Sequence, residues 1–280
     1  MIETQTDYQA PETLDAALQL MDSQGYQLLS RGSSALRSTD IKRHNSKLVS
    51  LRKVRELTRI DATAGALLIG ASATFDQLLQ SALVQPCPAL VQALQATPEP
   101  HQRHSNTLGG AVHEGGLIYA PALAALIALD ATAEFVSRTG KASQSIASLG
   151  SSGKRTSLTT GTLVSRIDVA AHRLPASLYL PLDPVWGRRP YQGIAIALKL
   201  ASGQVQELRL VLAGFSDFPL RLSSVEDALQ GGPLNAQRSE HAATLLGASH
   251  LGTQMQPEQY ALHLARVLVR RALTAFSPDN

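Results

Sequence analysis

Apolar residues recur in this chain as helix-spaced stripes separated by short runs of strand character. In PETLDAALQLMDSQ (11–24), Leu14, Ala17, Leu18 and Met21 repeat at helical spacing behind Pro11, and Gly25 offers a stop. The runs 26–29, 47–51 and 66–71 predict short strands. TFDQLLQSAL (74–83) predicts a helix that Thr74 can cap, and a further helical segment is expected over 88–94. Such alternation is typical of an α/β unit. APALAALIAL (120–129) is almost wholly apolar, which predicts a buried helix too short to cross a bilayer. A strand is expected over 131–137, and the Ser-, Thr-, Gly- and Lys-rich stretch 140–161 reads as a surface excursion.

Beyond Pro175, Pro181 and Pro184 the pattern changes, and a linker between domains is expected near 170–185. Ile194, Ile196, Leu198 and Leu200 alternate, Ser202-Gly203 marks a turn, and 205–213 supplies the partner strand. Helices are predicted over 222–229, 238–246 and 257–275. In the last, Leu262, Ala265, Val269 and Leu273 form a stripe, with Arg266, Arg270 and Arg271 free to face solvent. A sheet followed by helices is an α+β arrangement.

Composition narrows the function more than the fold. A length of 280 residues admits two ordinary domains, and 44% apolar content suits a globular core. A net charge of +3, with basic residues scattered apart from Lys42, Arg43, Lys47, Arg52, Lys53 and Arg55, argues against a nucleic-acid module. The opening MIETQTD lacks the basic and apolar segments of a signal peptide, and no long uncharged apolar stretch follows. No transmembrane segment and a cytoplasmic location are therefore expected. Cys87 is the only cysteine, so this chain alone cannot form a disulfide or ligate an iron–sulfur cluster through cysteines. Flanked by Pro86 and Pro88, it reads as a small buried hydrophobe. His101 and His104 with the more distant His113 do not make a recognisable zinc site. No HExxH, CxxC, P-loop or GxSxG pattern stands in its required context.

Several segments, in order, resemble the FAD-binding medium subunits of the molybdenum hydroxylases, the xanthine dehydrogenase and carbon monoxide dehydrogenase group. They are PETLDAAL, LVSLRKVRELTRI, LLIGASATFDQLL, RHSNTLGGAVHEGG, APALAALIALDATAEF, GQVQELRLVLAG, Pro219 with Arg221 and Glu226, and YALHLARVLVRRAL. The resemblance extends through nearly the whole chain. It implies an α+β protein: a two-lobed FAD-binding domain over 1–175 (lobes about 1–58 and 59–175), then a C-terminal sheet-and-helices domain over 185–280. It also implies an electron-transfer role, with FAD in this chain. The molybdenum cofactor would lie in a large partner subunit and the 2Fe–2S clusters in a small one. The difficult chemistry in such assemblies belongs to the cofactors, which the protein positions.

The resemblance also assigns site residues. A first pyrophosphate loop, of the form AGGTDL in the family, matches Arg31, Gly32, Ser33 and Ser34. Backbone N–H groups there can cradle phosphate oxygens. Arg31 replaces a glycine: a left-handed backbone at this position would cost about 1 kcal/mol, although the side chain is itself suited to phosphate. A second loop, TIGGN in the family, matches Thr107, Gly109, Gly110 and Ala111, with Arg103 retained upstream. Ala111 replaces the asparagine, and Ile118 stands where the family places an aspartate before Pro121. Trp186, Arg188, Arg189 and Tyr191 lie at the entry to the C-terminal domain, where an aromatic serves either the flavin or the seam between domains. Two readings follow: an electron-transfer flavoprotein subunit, or a cofactor-free structural subunit of a related redox complex. Arg31, Ala111 and Ile118 motivate the second.

Overall fold

Three main sheets carry the chain, each built on a different residue pattern. The computed structural model describes residues 7–24, 26–29, 47–151, 154–155, 161–170, 176–182, 191–247, 251 and 258–277. The first sheet comprises β1 (Asp7–Gln9), β2 (Gln27–Leu29) and β3 (Lys47–Ser50), all parallel in the order β1-β3-β2, with α1 (Leu14–Gln24) between the first two. The stripe on α1 behaves as expected. Ala17 is buried with Tyr26, Val49, Leu51, Val54 and Leu57, and Leu14 and Met21 pack beside them. The Tyr26 hydroxyl donates to the Asp7 carboxylate, holding that acid below its usual range and the phenol above its own.

The second sheet contains β4 (Ile60–Ala62), β5 (Leu67–Gly70), β6 (Thr132–Ser137), β7 (Gly140–Ser145) and a later central strand, in antiparallel pairs. Between β5 and β6 the chain inserts α2 (Phe75–Gln80), α3 (Pro88–Gln95), α4 (Pro100–Ser105), α5 (Leu108–Glu114) and α6 (Ala120–Ala128). The expected surface excursion over 140–161 is partly ordered. It holds β7 and a small ribbon of β8 (Gly150–Ser151) and β9 (Lys154–Arg155). Residues 140–144 are exposed because β7 is an edge, where polar side chains discourage further pairing. The central strand is β10 (Leu163–Val169), between β5 and β6.

The expected linker also contains a strand. β11 (Ala176–Pro181) is the edge of a four-stranded antiparallel sheet with β12 (Gly193–Ala201), β13 (Gln204–Ala213) and β14 (Leu220–Arg221). Proline is tolerated at such an edge, which is why Pro181 ends a strand here and does not mark a coil. The helices α7 (Ser223–Leu229), α8 (Ala236–Thr244) and α9 (Glu258–Thr274) cover one face of this sheet, against Ile194, Ile196, Leu198, Leu208, Leu210 and Leu212. Arg266 does not simply face solvent. It donates to the Leu246 and Thr244 carbonyls at the end of α8.

The other face of that sheet closes on the second lobe. Tyr179, Ala195, Ala197, Val211 and Ala213 join the core that contains α3 and α6. All nine residues of α6 are buried, in contact with the four-stranded sheet and within the core cluster that also holds residues of the five-stranded sheet. A helix covered on every side must be apolar all round, which accounts for APALAALIA. A sheet covered on both faces likewise loses clean alternation.

Candidate functional site

Two capped turns build the wall of a cleft. β5 ends at Gly70, where an added Cβ would lie 2.4 Å from the Leu57 carbonyl oxygen. The next residues are anchored through their backbones: Ala71 N–H donates to Ser165 O at 3.0 Å, and Ser72 N–H to Leu57 O at 2.7 Å. Thr74 then starts α2 with a reciprocal capping box, accepting from Gln77 N at 3.2 Å while its own N–H donates to Gln77 Oε1 at 3.0 Å. Thr107 repeats the device at α5, where its hydroxyl accepts from Gly110 N at 3.0 Å.

The two turns are stitched together. Phe75 N–H donates to Asn106 O at 3.0 Å, Gly109 N–H donates to Ala71 O at 2.9 Å, and Thr74 and Thr107 form an isolated antiparallel bridge. A Cβ on Gly109 would meet Ala71 Cβ at 2.5 Å and Ala71 O at 2.6 Å, so this glycine permits contact between two backbones. Gly110 differs. A Cβ there would meet only Thr107 Oγ1 at 3.1 Å and the Tyr119 hydroxyl at 3.9 Å, and the residue is half-buried.

Gly109 and Gly110 border a small pocket, partly open to solvent, between the first and second sheets. Leu28 and Leu51 line it from the first lobe, Ala71, Ser72 and Val164 from the second, and His113 and Glu114 from the last turn of α5. Ser72 is fully buried, and its hydroxyl has no hydrogen-bond partner among the described residues. No role for Ser72 itself was legible in the sequence, although it lies in the family-like segment LLIGASATFDQLL, because its position depends on the turn meeting α5.

The structure treats the other residues singled out from the sequence unequally. Arg31, Gly32, Ser33 and Ser34 lie outside the described residues, as do Trp186, Arg188 and Arg189. Thr107, Gly109 and Gly110 come together at the cleft wall. Ala111 is fully buried in the core, with its N–H donating to Thr107 O at 2.9 Å. Arg103 reaches back to the end of α3, donating to Thr97 O at 2.5 Å and Pro98 O at 3.3 Å. Ile118 packs against the main core. Tyr191 donates to Gln102 Oε1 at 3.2 Å, joining the C-terminal part to α4.

The remaining candidates carry no site chemistry. Cys87 is 2% exposed, and burial pushes its thiol up to about 11. His104 lies 3.9 Å from Asp76 and is exposed, and no cluster suited to a metal ion occurs among the described residues. Arg52, Lys53 and Arg55 share a surface depression with Glu12 and Glu56, so that face is of mixed charge.

A parallel β–α–β lobe, an antiparallel lobe and a glycine-walled cleft between them, backed by a sheet-and-helix unit, define a two-lobed cofactor-domain architecture. The chain belongs to the family described as the FAD binding domain in molybdopterin dehydrogenase, whose model matches residues 3–171. Residues 189–276 match the CO dehydrogenase flavoprotein C-terminal domain. The xanthine dehydrogenase FAD-binding subunit of Escherichia coli O157:H7 is 26% identical, over 98% of this chain and 96% of that protein. The carbon monoxide dehydrogenase medium chain of Hydrogenophaga pseudoflava is 25% identical, over 98% of each. Among solved structures, quinoline 2-oxidoreductase from Pseudomonas putida 86 superposes with a TM-score of 0.85 at 23% identity, covering 96% of both chains. Carbon monoxide dehydrogenase from Hydrogenophaga pseudoflava superposes with a TM-score of 0.86 at 23% identity, covering 98% of both. These superpositions establish the expected α+β fold, with its two-lobed cofactor domain and C-terminal sheet and helices.

The described wall of the cleft fits a flavin dinucleotide in two respects. Gly110 presents no side chain, so a ligand can come close to the backbone. The buried Ser72 hydroxyl is available to a ligand acceptor. Ala111 and Ile118 add no polar group, and the N–H groups of Gly109 and Gly110 are already engaged within the wall.

Proposed function

We propose that this chain is the electron-transfer flavoprotein subunit of a molybdenum hydroxylase assembly. It passes electrons from the iron–sulfur clusters of a small partner, through FAD, to an external acceptor. A large partner holds the molybdenum cofactor and binds the substrate. The observation that carries this reading is the cleft between the lobes, with Gly110 and Ser72 in its wall, in a chain whose family is an FAD-binding one. When bound, FAD supplies the redox chemistry, and the chain's own work is to hold and orient it. In this reading residues 1–175 form the cofactor domain, with lobes over 1–58 and 59–175. Arg31, Gly32, Ser33 and Ser34 take part in holding the FAD diphosphate. Residues 185–280 back the second lobe. A cytoplasmic location goes with such an assembly. No helix among the described residues is long and apolar enough to cross a membrane.

A second reading, a cofactor-free structural subunit, is favoured by Ala111 and Ile118 lying in apolar surroundings and by the engagement of Arg103 with the Thr97 and Pro98 carbonyls. Purification of the native assembly separates the two. We expect copurification with a molybdenum-cofactor subunit and an iron–sulfur subunit, together with FAD released stoichiometrically with this chain on denaturation. An intact assembly without FAD would establish the structural reading. A stable monomer in native extract would count against both.

A further inference from the structure

We propose that Ser72 is a ligand-binding residue, whose hydroxyl donates a hydrogen bond to a diphosphate oxygen of the bound flavin dinucleotide. The assignment rests on the flavoprotein reading above and goes beyond it, since the family loops carried over from sequence do not include this turn. Ser72 is 0% exposed, and its Oγ has no partner among the described residues, although its backbone N–H is bonded to Leu57 O at 2.7 Å. Buried hydroxyls are ordinarily paired, and an unpaired one is unfavourable to stability. Alanine would avoid that at the same position, between Ala71 and Ala73, both buried. A hydroxyl kept there is explained by an acceptor that arrives with a ligand.

The surroundings say which acceptor. Ser72 borders the cleft pocket beside Gly109 and Gly110. The bonds Gly109 N–H to Ala71 O and Ser72 N–H to Leu57 O fix the turn on two sides, so the hydroxyl is held without help from its own side chain. Gly110 adds no side chain to the pocket lining. The carboxylate in this pocket is Glu114, which is exposed and stands at its rim. A small hydroxyl donor next to bare backbone suits the crowded oxygens of a diphosphate.

The test measures FAD and ADP binding to cofactor-stripped full-length chain by titration calorimetry, with thermal melts of the same apoproteins. Ser72→Ala is expected to weaken FAD roughly tenfold, about 1.4 kcal/mol. It should weaken ADP, which shares the diphosphate but lacks the flavin, by a similar factor. The apoprotein Tm should stay unchanged or rise, because an unpaired buried hydroxyl has been removed. Ser72→Cys retains a weaker donor on a slightly larger side chain and should fall between the two. FAD binding by Ser72→Ala equal to wild type overturns the role of Ser72 and leaves the flavoprotein reading standing. Loss confined to FAD, with ADP unaffected, overturns the diphosphate assignment. Apoprotein Tm values that fall in both variants in step with affinity assign Ser72 to the fold and overturn the proposal. Wild type that binds no FAD overturns both the proposal and the reading beneath it.

Discussion

At Gly193 the packing leaves no room for a methyl group. A Cβ would lie 2.3 Å from the Tyr179 hydroxyl, 2.5 Å from Tyr179 Cζ and 2.6 Å from Leu180 O. Tyr179 is itself 2% exposed, its hydroxyl has no partner among the described residues, and burial raises its phenol above the usual range. Gly193→Ala is therefore expected to destabilise by about 1–3 kcal/mol through overpacking, measured by urea denaturation. Tyr179→Phe removes an unpaired hydroxyl and should be neutral or slightly stabilising. A loss above about 1 kcal/mol in that variant would show that the hydroxyl has a partner after all. Cys87 gives a second residue-scale test. Its folded pKa, about 11, lies above the ordinary 9.0, so the folded state favours the neutral thiol. This contribution is complete below pH 9 and is lost as pH rises through the window up to about 11. The native thiol should resist a disulfide reagent at mildly alkaline pH and react at once in denaturant. Fast reaction in the native protein would contradict the burial. At this scale the sequence foretold the burial of Cys87 and the Thr74 cap. It could not foretell that Gly109 serves contact with Ala71, because that contact joins segments distant in the chain.

The short strand β14 is completed by a side chain. It pairs with β13 only through Leu220 and Arg221, and beyond that point Glu226 Oε1 accepts from Leu210 N at 2.8 Å. The same carboxylate takes Arg221 Nε at 3.0 Å and Nη2 at 2.8 Å, and this pairing raises the guanidinium pKa. Glu226 is 5% exposed. Glu226→Ala leaves a buried N–H and an arginine without their acceptor and should cost about 3 kcal/mol. Glu226→Gln keeps the acceptor for Leu210 and should cost roughly half as much. Denaturation midpoints for both variants within about 0.5 kcal/mol of wild type would remove Glu226 from this role. The same dependence on tertiary partners decides which elements the sequence disclosed. The striped helices α1 and α9, the wholly apolar α6 and the hairpin of β12 and β13 were legible, because their patterns and turns are local. β1, β4 and β14 have two or three residues each and exist through pairing. β10 was hidden because Ser165, Arg166 and Asp168 interrupt its apolar run. Those polar groups are matched in the sheet, Ser165 Oγ to Glu134 at 2.6 Å and Arg166 to Asp168 at 3.0 Å. α5 contains two glycines, and its start depends on Thr107 and on the neighbouring turn.

At the scale of the whole molecule, the C-terminal sheet is part of the core of the preceding domain. Tyr179, Ala195, Ala197, Val211, Ala213 and Phe218 belong to the same buried cluster as α3 and α6. Polar contacts follow the seam: Ala89 N–H donates to Ser177 Oγ at 3.4 Å, Tyr179 N–H to Gln92 Oε1 at 2.8 Å, and Arg209 pairs with Asp130 at 3.0 Å. Gly150 reinforces it, since a Cβ there would fall 2.2 Å from the Phe218 ring. A chain whose family matches divide near residues 171 and 189 is thus expected to unfold as one unit. Each fully buried large apolar side chain contributes about 1.5–3 kcal/mol, so exposing one face of α6 and α3 would outweigh the marginal stability of either part alone. Calorimetry of the full chain should give one transition, with calorimetric and van't Hoff enthalpies equal. A fragment ending at residue 175 should expose the apolar faces of α3 and α6, bind a hydrophobic dye and aggregate, because no sheet then covers them. Two resolved transitions, or a soluble fragment with a cooperative melt of its own, would mean that the seam is a dispensable contact. In that case α6 would need another explanation for being apolar on every side.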